Sequence, residues 1–171
     1  MKYDYKLAYE KNKNFYNRHP KLKEALIKSN TILTAFFILS YFTLIGYTAL
    51  SKQSPKQLTF IIFVPFLGFF LANVLRMAID KPRPYAVGGA SITPFIEKKK
   101  ADNKSFPSRH TASAFVIAMT FVAFYPPVGA FMLLSALALA YVRFALGLHY
   151  PSDLTAGALI GILSGFIALF V

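Results

Sequence analysis

From Thr31 to Leu50 the chain reads TILTAFFILSYFTLIGYTAL, twenty residues without a charge. A helix rises about 1.5 Å per residue, so this run matches a hydrocarbon core of about 30 Å and satisfies its own backbone within it. Four further apolar stretches follow, at Leu58–Ile79, Ser108–Tyr125, Val128–Leu146 and Asp153–Val171. The predicted fold is therefore all-α: an integral membrane helical bundle of five transmembrane spans, with 31–171 as a single transmembrane domain. Composition agrees, since 56% of the residues are hydrophobic and only 15% charged, more apolar surface than a soluble domain of this size buries. The last stretch carries Ala156, Gly157, Ala158, Gly161, Ser164 and Gly165, small residues that permit close helix packing. Pro126 and Pro127 are expected to form a tight turn.

Residues 1–30 differ in kind. Eight lysines and arginines there mix with Tyr3, Tyr5, Leu7, Phe15, Tyr16 and Leu22, the pattern of an N-terminal interfacial amphipathic helix lying on the bilayer. Pro20 suits the first turn of a short helix after His19, whose ring is expected to be noncatalytic. No continuous apolar core marks a cleaved signal peptide. The net charge of +12 is gathered in this segment and around three later clusters, which speaks against a nucleic-acid partner. The absence of cysteine excludes disulfides, cysteine-ligated metals and thiol nucleophiles.

The three clusters are RMAIDKPRP (Arg76–Pro84), PSRH (Pro107–His110) and RFALGLHYPSD (Arg143–Asp153). If five spans alternate in direction, the end of the second, the start of the third, the end of the fourth and the start of the fifth emerge on one side. The clusters then meet. A histidine or arginine at a span end is by itself usually a polar anchor, but convergence of three separated arginines and two histidines has no such account.

Their chemistry fits phosphate. Arg76, Arg83 and Arg143 carry forked, permanently charged donors. Ser108 and the amides after Pro107 sit at a helix N-terminus, which favours an anion. His110 lies in that first turn. If Asp153 accepts a hydrogen bond from one ring nitrogen of His149, the other nitrogen is fixed as a nucleophile. Lys81 is kept as an auxiliary cation, and Lys98, Lys99, Lys100 and Lys104 are read as solvated charges that attract anionic headgroups.

In order and spacing, these elements resemble the signature of the type-2 phosphatidic acid phosphatase superfamily: Lys, six residues, Arg-Pro; then Pro-Ser-Gly-His; then Ser-Arg, five residues, His, three residues, Asp. Here they read Arg76, six residues, Arg83-Pro84; Pro107-Ser108-Arg109-His110; and Val142-Arg143, five residues, His149, three residues, Asp153. The resemblance implies that His149 is the nucleophile, Asp153 its orienting partner, and His110 the acid for the leaving oxygen. It also implies that Arg76, Arg83, Ser108, the Arg109 amide and Arg143 hold the phosphoryl group, with no metal or other cofactor.

Three positions depart from the signature. Arg76 stands for lysine, Val142 for serine, and Arg109 for glycine, adding a cation that would suit a second phosphate. The implied partner is a membrane lipid phosphate in the bilayer: undecaprenyl pyrophosphate, phosphatidylglycerophosphate or phosphatidic acid. A lipid phosphotransferase, or a noncatalytic headgroup-binding or transport protein, are the rival readings. Of the nineteen basic residues only Lys52 and Lys56 fall on the far side, so the positive-inside rule alone points the site at the cytoplasm. The resemblance points the other way, and the extracytoplasmic face of the cell membrane is preferred on that ground.

Overall fold

The computed structural model describes residues 5–51, 54–86, 92–96 and 104–170; Lys52 and Lys98–Lys100 lie outside them. Among the described residues every regular element is helical: α1 (Tyr5–Arg18), α2 (Pro20–Leu50), α3 (Pro55–Ala78), α4 (Arg109–Phe124), α5 (Pro126–Ala145), α6 (Pro151–Phe166) and a closing 3₁₀ turn, Ile167–Phe170.

Local sequence explains the boundaries. Proline opens α2, α3, α5 and α6, where its missing N–H costs nothing. Pro126 and Pro127 thus begin α5 instead of forming the expected turn, and Tyr125 alone links α4 to α5. Arg76 and Arg143 occupy the last turns of α3 and α5, where a cation complements the helix dipole. The largest difference from expectation is at the N-terminus. A boundary expected between residues 30 and 31 falls inside α2, which runs unbroken for 31 residues. Nothing in KLKEALIKSN (Lys21–Asn30) stops a helix, so the helix begun at Pro20 continues into the apolar run.

Four helices are long and apolar enough to cross a membrane, α2, α3, α5 and α6 with its 3₁₀ extension. The remaining expected span, α4, has only 16 residues, about 24 Å of helix. It is the central element, packed on α6, α5 and α3 and buried along most of its length, from Thr111 to Phe121. Large apolar residues such as Ile32, Leu39, Phe42, Phe66, Leu134 and Leu163 point outward, as they do where the surrounding solvent is hydrocarbon. Phe37, Leu44, Ile61, Phe115, Met132 and Leu139 form the core between α2, α3, α4 and α5.

Every fourth residue of α6 from Gly157 meets α4. A Cβ at Gly161 would lie 2.6 Å from the Ala112 carbonyl oxygen and 2.6 Å from the Phe115 Cβ, and one at Gly157 would lie 2.6 Å from the Ser108 carbonyl oxygen. Gly161→Ala is therefore expected to push the two helices apart, at a cost of about 1–3 kcal/mol, read as a lowered midpoint of thermal unfolding in detergent.

Candidate active site

The three clusters meet at one end of the bundle, through backbone as well as side chains. The Ser108 amide donates to the Asp153 carbonyl oxygen at 3.0 Å, tying the start of α4 to the start of α6. The Ser105 amide donates to the Lys81 carbonyl oxygen at 2.8 Å, bringing the first cluster against the second. Arg76, Ser108, Arg143, His149 and Asp153 are all buried there. The charges of Arg143, Arg109 and Arg83 act on the His110 ring, and those of Arg83, Arg76 and Arg109 on Arg143. Every catalytic or phosphate-binding residue expected from sequence thus falls in one neighbourhood.

Arg143 donates from Nη1 to Asn30 Oδ1 at 3.1 Å. Its Nε is buried without a hydrogen-bond partner among the described residues. A buried donor left this way is destabilising by about 1–3 kcal/mol, and a phosphoryl oxygen is the kind of acceptor that would relieve it. Arg83 stacks over Tyr85, 5.9 Å from the ring centre.

His149 stands on a short loop after α5. The loop turns at Gly147, whose φ of +74° lies in the left-handed region open to glycine. The imidazole Nδ1 lies 3.0 Å from the Ser105 carbonyl oxygen. A carbonyl can only accept, so Nδ1 carries the proton and Nε2 the lone pair. Burial lowers the His149 pKa to about 4, despite the opposing pull of Asp153, and the ring is neutral at neutral pH. This corrects the expected arrangement in one respect. The nearest Asp153 oxygen is 3.7 Å from Nδ1, beyond a hydrogen bond, so the ring is oriented by a backbone carbonyl while the carboxylate stands close behind as a charge.

Asp153 is in turn held from three sides. It accepts from Ser105 Oγ at 2.5 Å, from Lys81 Nζ at 2.5 Å and from the Tyr150 amide at 3.1 Å. Lys81 also donates to Ser152 Oγ at 2.9 Å and lies over the Tyr150 ring at 4.7 Å. Lys81, an auxiliary cation in the sequence reading, is thus placed on the aspartate.

Beside this centre, Arg109 and His110 open onto an apolar cavity of about 260 Å³ between α2, α3 and α4, walled by Thr34, Phe37 and Phe69 among others. A second apolar hollow of about 370 Å³ shares Ile38, Phe69, Ser113 and Ile117 with it and continues toward Tyr41 and Ile62. Arg109 donates from Nη1 to Asn73 Oδ1 at 3.1 Å, which anchors the side chain that stands where the signature has glycine.

Residues 57–171 match the family model described as "PAP2 superfamily". The chain belongs to this superfamily. Among curated PAP2 relatives, it is 35% identical over 129 residues to the Lipid A 1-phosphatase of Rhizobium etli, covering 68% of this chain and 54% of that protein. It is 33% identical over 112 residues to the Lipid A 4'-phosphatase of Bacteroides thetaiotaomicron, covering 63% and 50%. It is 33% identical over 139 residues to the Bacitracin transport permease protein BcrC of Bacillus licheniformis, covering 78% and 64%. The chain therefore spans roughly half to two thirds of these relatives' lengths. Among solved structures, LpxE of Aquifex aeolicus superimposes with a TM-score of 0.72 at 27% identity, covering 95% of this chain and 94% of that one. A PAP2-type phosphatidylglycerolphosphate phosphatase from Bacillus subtilis gives 0.67 at 23% identity, covering 88% and 76%, a likeness of fold alone. With its apolar helices, this PAP2 chain is a multi-pass membrane protein.

Sequence reasoning missed three residues that contact this cluster, Asn30, Asn73 and Ser105. Asn30 and Asn73 lie inside helices α2 and α3, each near the end of an apolar run, and a polar residue there was the available signal. Ser105 acts on His149 through its backbone carbonyl, which no side-chain pattern announces.

Proposed function

We propose that this protein is a lipid phosphatase that cleaves a phosphomonoester or diphosphate from a membrane lipid through a phosphohistidine, without a metal. The observation that carries the reading is the His149 ring, with Nδ1 tied to the Ser105 carbonyl and its other nitrogen left for phosphorus beside Arg143 and Arg83. In this reading Nε2 attacks phosphorus and the bond from phosphorus to the lipid oxygen breaks. Arg76, Arg83, Arg143, Ser108 and the Arg109 amide stabilise the charge on the phosphoryl oxygens. His110 takes up a proton when the negative phosphate of the substrate lies among the arginines, and gives it to the leaving oxygen. As a base, His110 then takes a proton from the water that attacks the phosphohistidine, and inorganic phosphate leaves. Asp153 offsets the positive charge that the imidazole carries while phosphorylated.

The apolar hollows beside His110 support a lipid-borne phosphate over a free one. Relatives named lipid A phosphatases add lipid A to undecaprenyl pyrophosphate, phosphatidylglycerophosphate and phosphatidic acid as substrates to be tried. Arg109, held by Asn73 at the mouth of the same cavity, favours a substrate with a second phosphate. The extracytoplasmic placement belongs to this proposal and rests on the resemblance.

Phosphate release from these four lipids and a soluble ester, in detergent with chelator present, is the test. Turnover of at least one lipid, faster than of the soluble ester and unchanged by chelation, is expected. No release from any lipid, or release abolished by chelator, would refute the reading. Phosphoryl transfer to an added lipid or sugar alcohol in place of water would favour the phosphotransferase alternative.

A further inference from the structure

The helix α1 lies outside the residues that match the superfamily, and its composition suggested a partner in the lipid headgroups. Its face toward the protein is instead aimed at the loop that carries His149. Tyr9 is its one buried residue, only 1% exposed. The hydroxyl end of the Tyr9 ring packs against Gly147, so closely that a Cβ there would stand 2.8–2.9 Å from Cε2, Cζ and the hydroxyl oxygen, and that hydroxyl donates to the Thr93 carbonyl oxygen at 2.8 Å. One turn earlier, the Tyr5 ring packs on Tyr150 at 4.9 Å and on Phe144 at 6.0 Å between centres, and its hydroxyl reaches the His149 carbonyl oxygen at 3.4 Å. One turn later, Asn12 Nδ2 donates to the Ala145 carbonyl oxygen at 3.0 Å.

Positions 5, 9 and 12 share one helical face. Tyr5 and Asn12 take up carbonyls in the loop and at the end of α5, groups that a helix terminus leaves without partners of its own, while Tyr9 packs on Gly147 between them. The loop is thus held from two sides, by Ser105 at the imidazole and by α1 at the backbone.

We infer that α1 is a strap that fixes the histidine loop, and that Tyr9, through Gly147, is a positioning residue for His149. The effect on turnover rests on the reading of His149 as nucleophile; the mechanical part does not. Nucleophilic attack requires reacting atoms held about 3–3.5 Å apart and in line, and a glycine two residues before the nucleophile has no side chain of its own to pack, so the Tyr9 ring fills that place.

Two readouts on Tyr9→Ala and Tyr9→Phe separate these parts. Amide hydrogen exchange at Leu146, Gly147 and Leu148, whose N–H groups bond to Val142, Phe144 and Arg143, is expected to accelerate in Tyr9→Ala while α4 and α6 stay protected. In the same variant kcat is expected to fall about tenfold with KM within about twofold, because the cradle that binds phosphate is untouched. Tyr9→Phe, which keeps the ring on Gly147, is expected to restore most of kcat. A Tyr9→Ala protein with unchanged exchange at these amides and unchanged kcat would overturn the strap. So would accelerated exchange throughout the bundle, which marks a residue of general stability. Should Tyr9→Ala fail to fold, Asn12→Ala offers the same comparison with one hydrogen bond removed. Accelerated loop exchange in a protein whose parent hydrolyses no lipid would uphold the strap and refute the phosphatase reading instead.

Discussion

Replacing His149 with alanine is expected to abolish turnover, lowering kcat by at least about a hundredfold, the scale of a missing nucleophile or acid, while the helices remain folded. The imidazole is 1% exposed and neutral at working pH, so its Nε2 lone pair needs no deprotonation before it attacks. In the proposed mechanism the His110 ring serves the leaving oxygen and does not replace it. The measurement is phosphate release by purified protein on the best lipid of the panel, with thermal unfolding in detergent as the control for folding. Wild-type protein quenched in alkaline detergent during turnover should carry acid-labile, base-stable phosphate, and His149→Ala none. Retained activity in this variant would remove the proposed nucleophile.

Asp153→Asn is expected to cost about a hundredfold in kcat, and the size matters more than the direction. In a Ser-His-Asp triad the corresponding change costs about ten-thousand-fold, because the neutral amide lets the imidazole adopt the wrong tautomer. Here the tautomer is set by the Ser105 carbonyl at 3.0 Å, and the carboxylate stands off at 3.7 Å. Asparagine would leave the Ser105 carbonyl on Nδ1, remove the negative charge opposite the phosphorylated ring, and turn one acceptor that faces Lys81 or Ser105 into a donor. A loss equal to a full tautomer switch would show that the aspartate orients the ring after all, and a loss below about threefold would show that its charge plays no part. Both are read from kcat at saturating lipid, beside wild type and His149→Ala.

Much of this site was legible in the chain. Apolar runs report membrane crossings because each residue adds about 1.5 Å against a fixed hydrocarbon thickness. Alternating crossings then brought Arg76, His110, Arg143 and Asp153 to one end without any side-chain modelling. What escaped was of two physical kinds. The Ser105 carbonyl acts on His149 through backbone, which every residue shares. Tyr5, Tyr9 and Asn12 lie on one helical face, but such a face suits a lipid surface or a protein loop equally well, and composition favoured the lipid. The expected break at residue 30 failed for a third reason: a change in polarity is not a change in conformation, and Lys21–Asn30 contains no residue that ends a helix.

The row of glycines on α6 has a consequence for how a substrate arrives. Gly157, Gly161 and Gly165 leave no room between α6 and α4, and the Ser108 amide bonded to the Asp153 carbonyl closes the same seam at its mouth. Those two helices move as one body or not at all. On the proposed function, a long-tailed lipid would enter from the bilayer by the opposite flank, where α2 and α3 border the hollows beside His110.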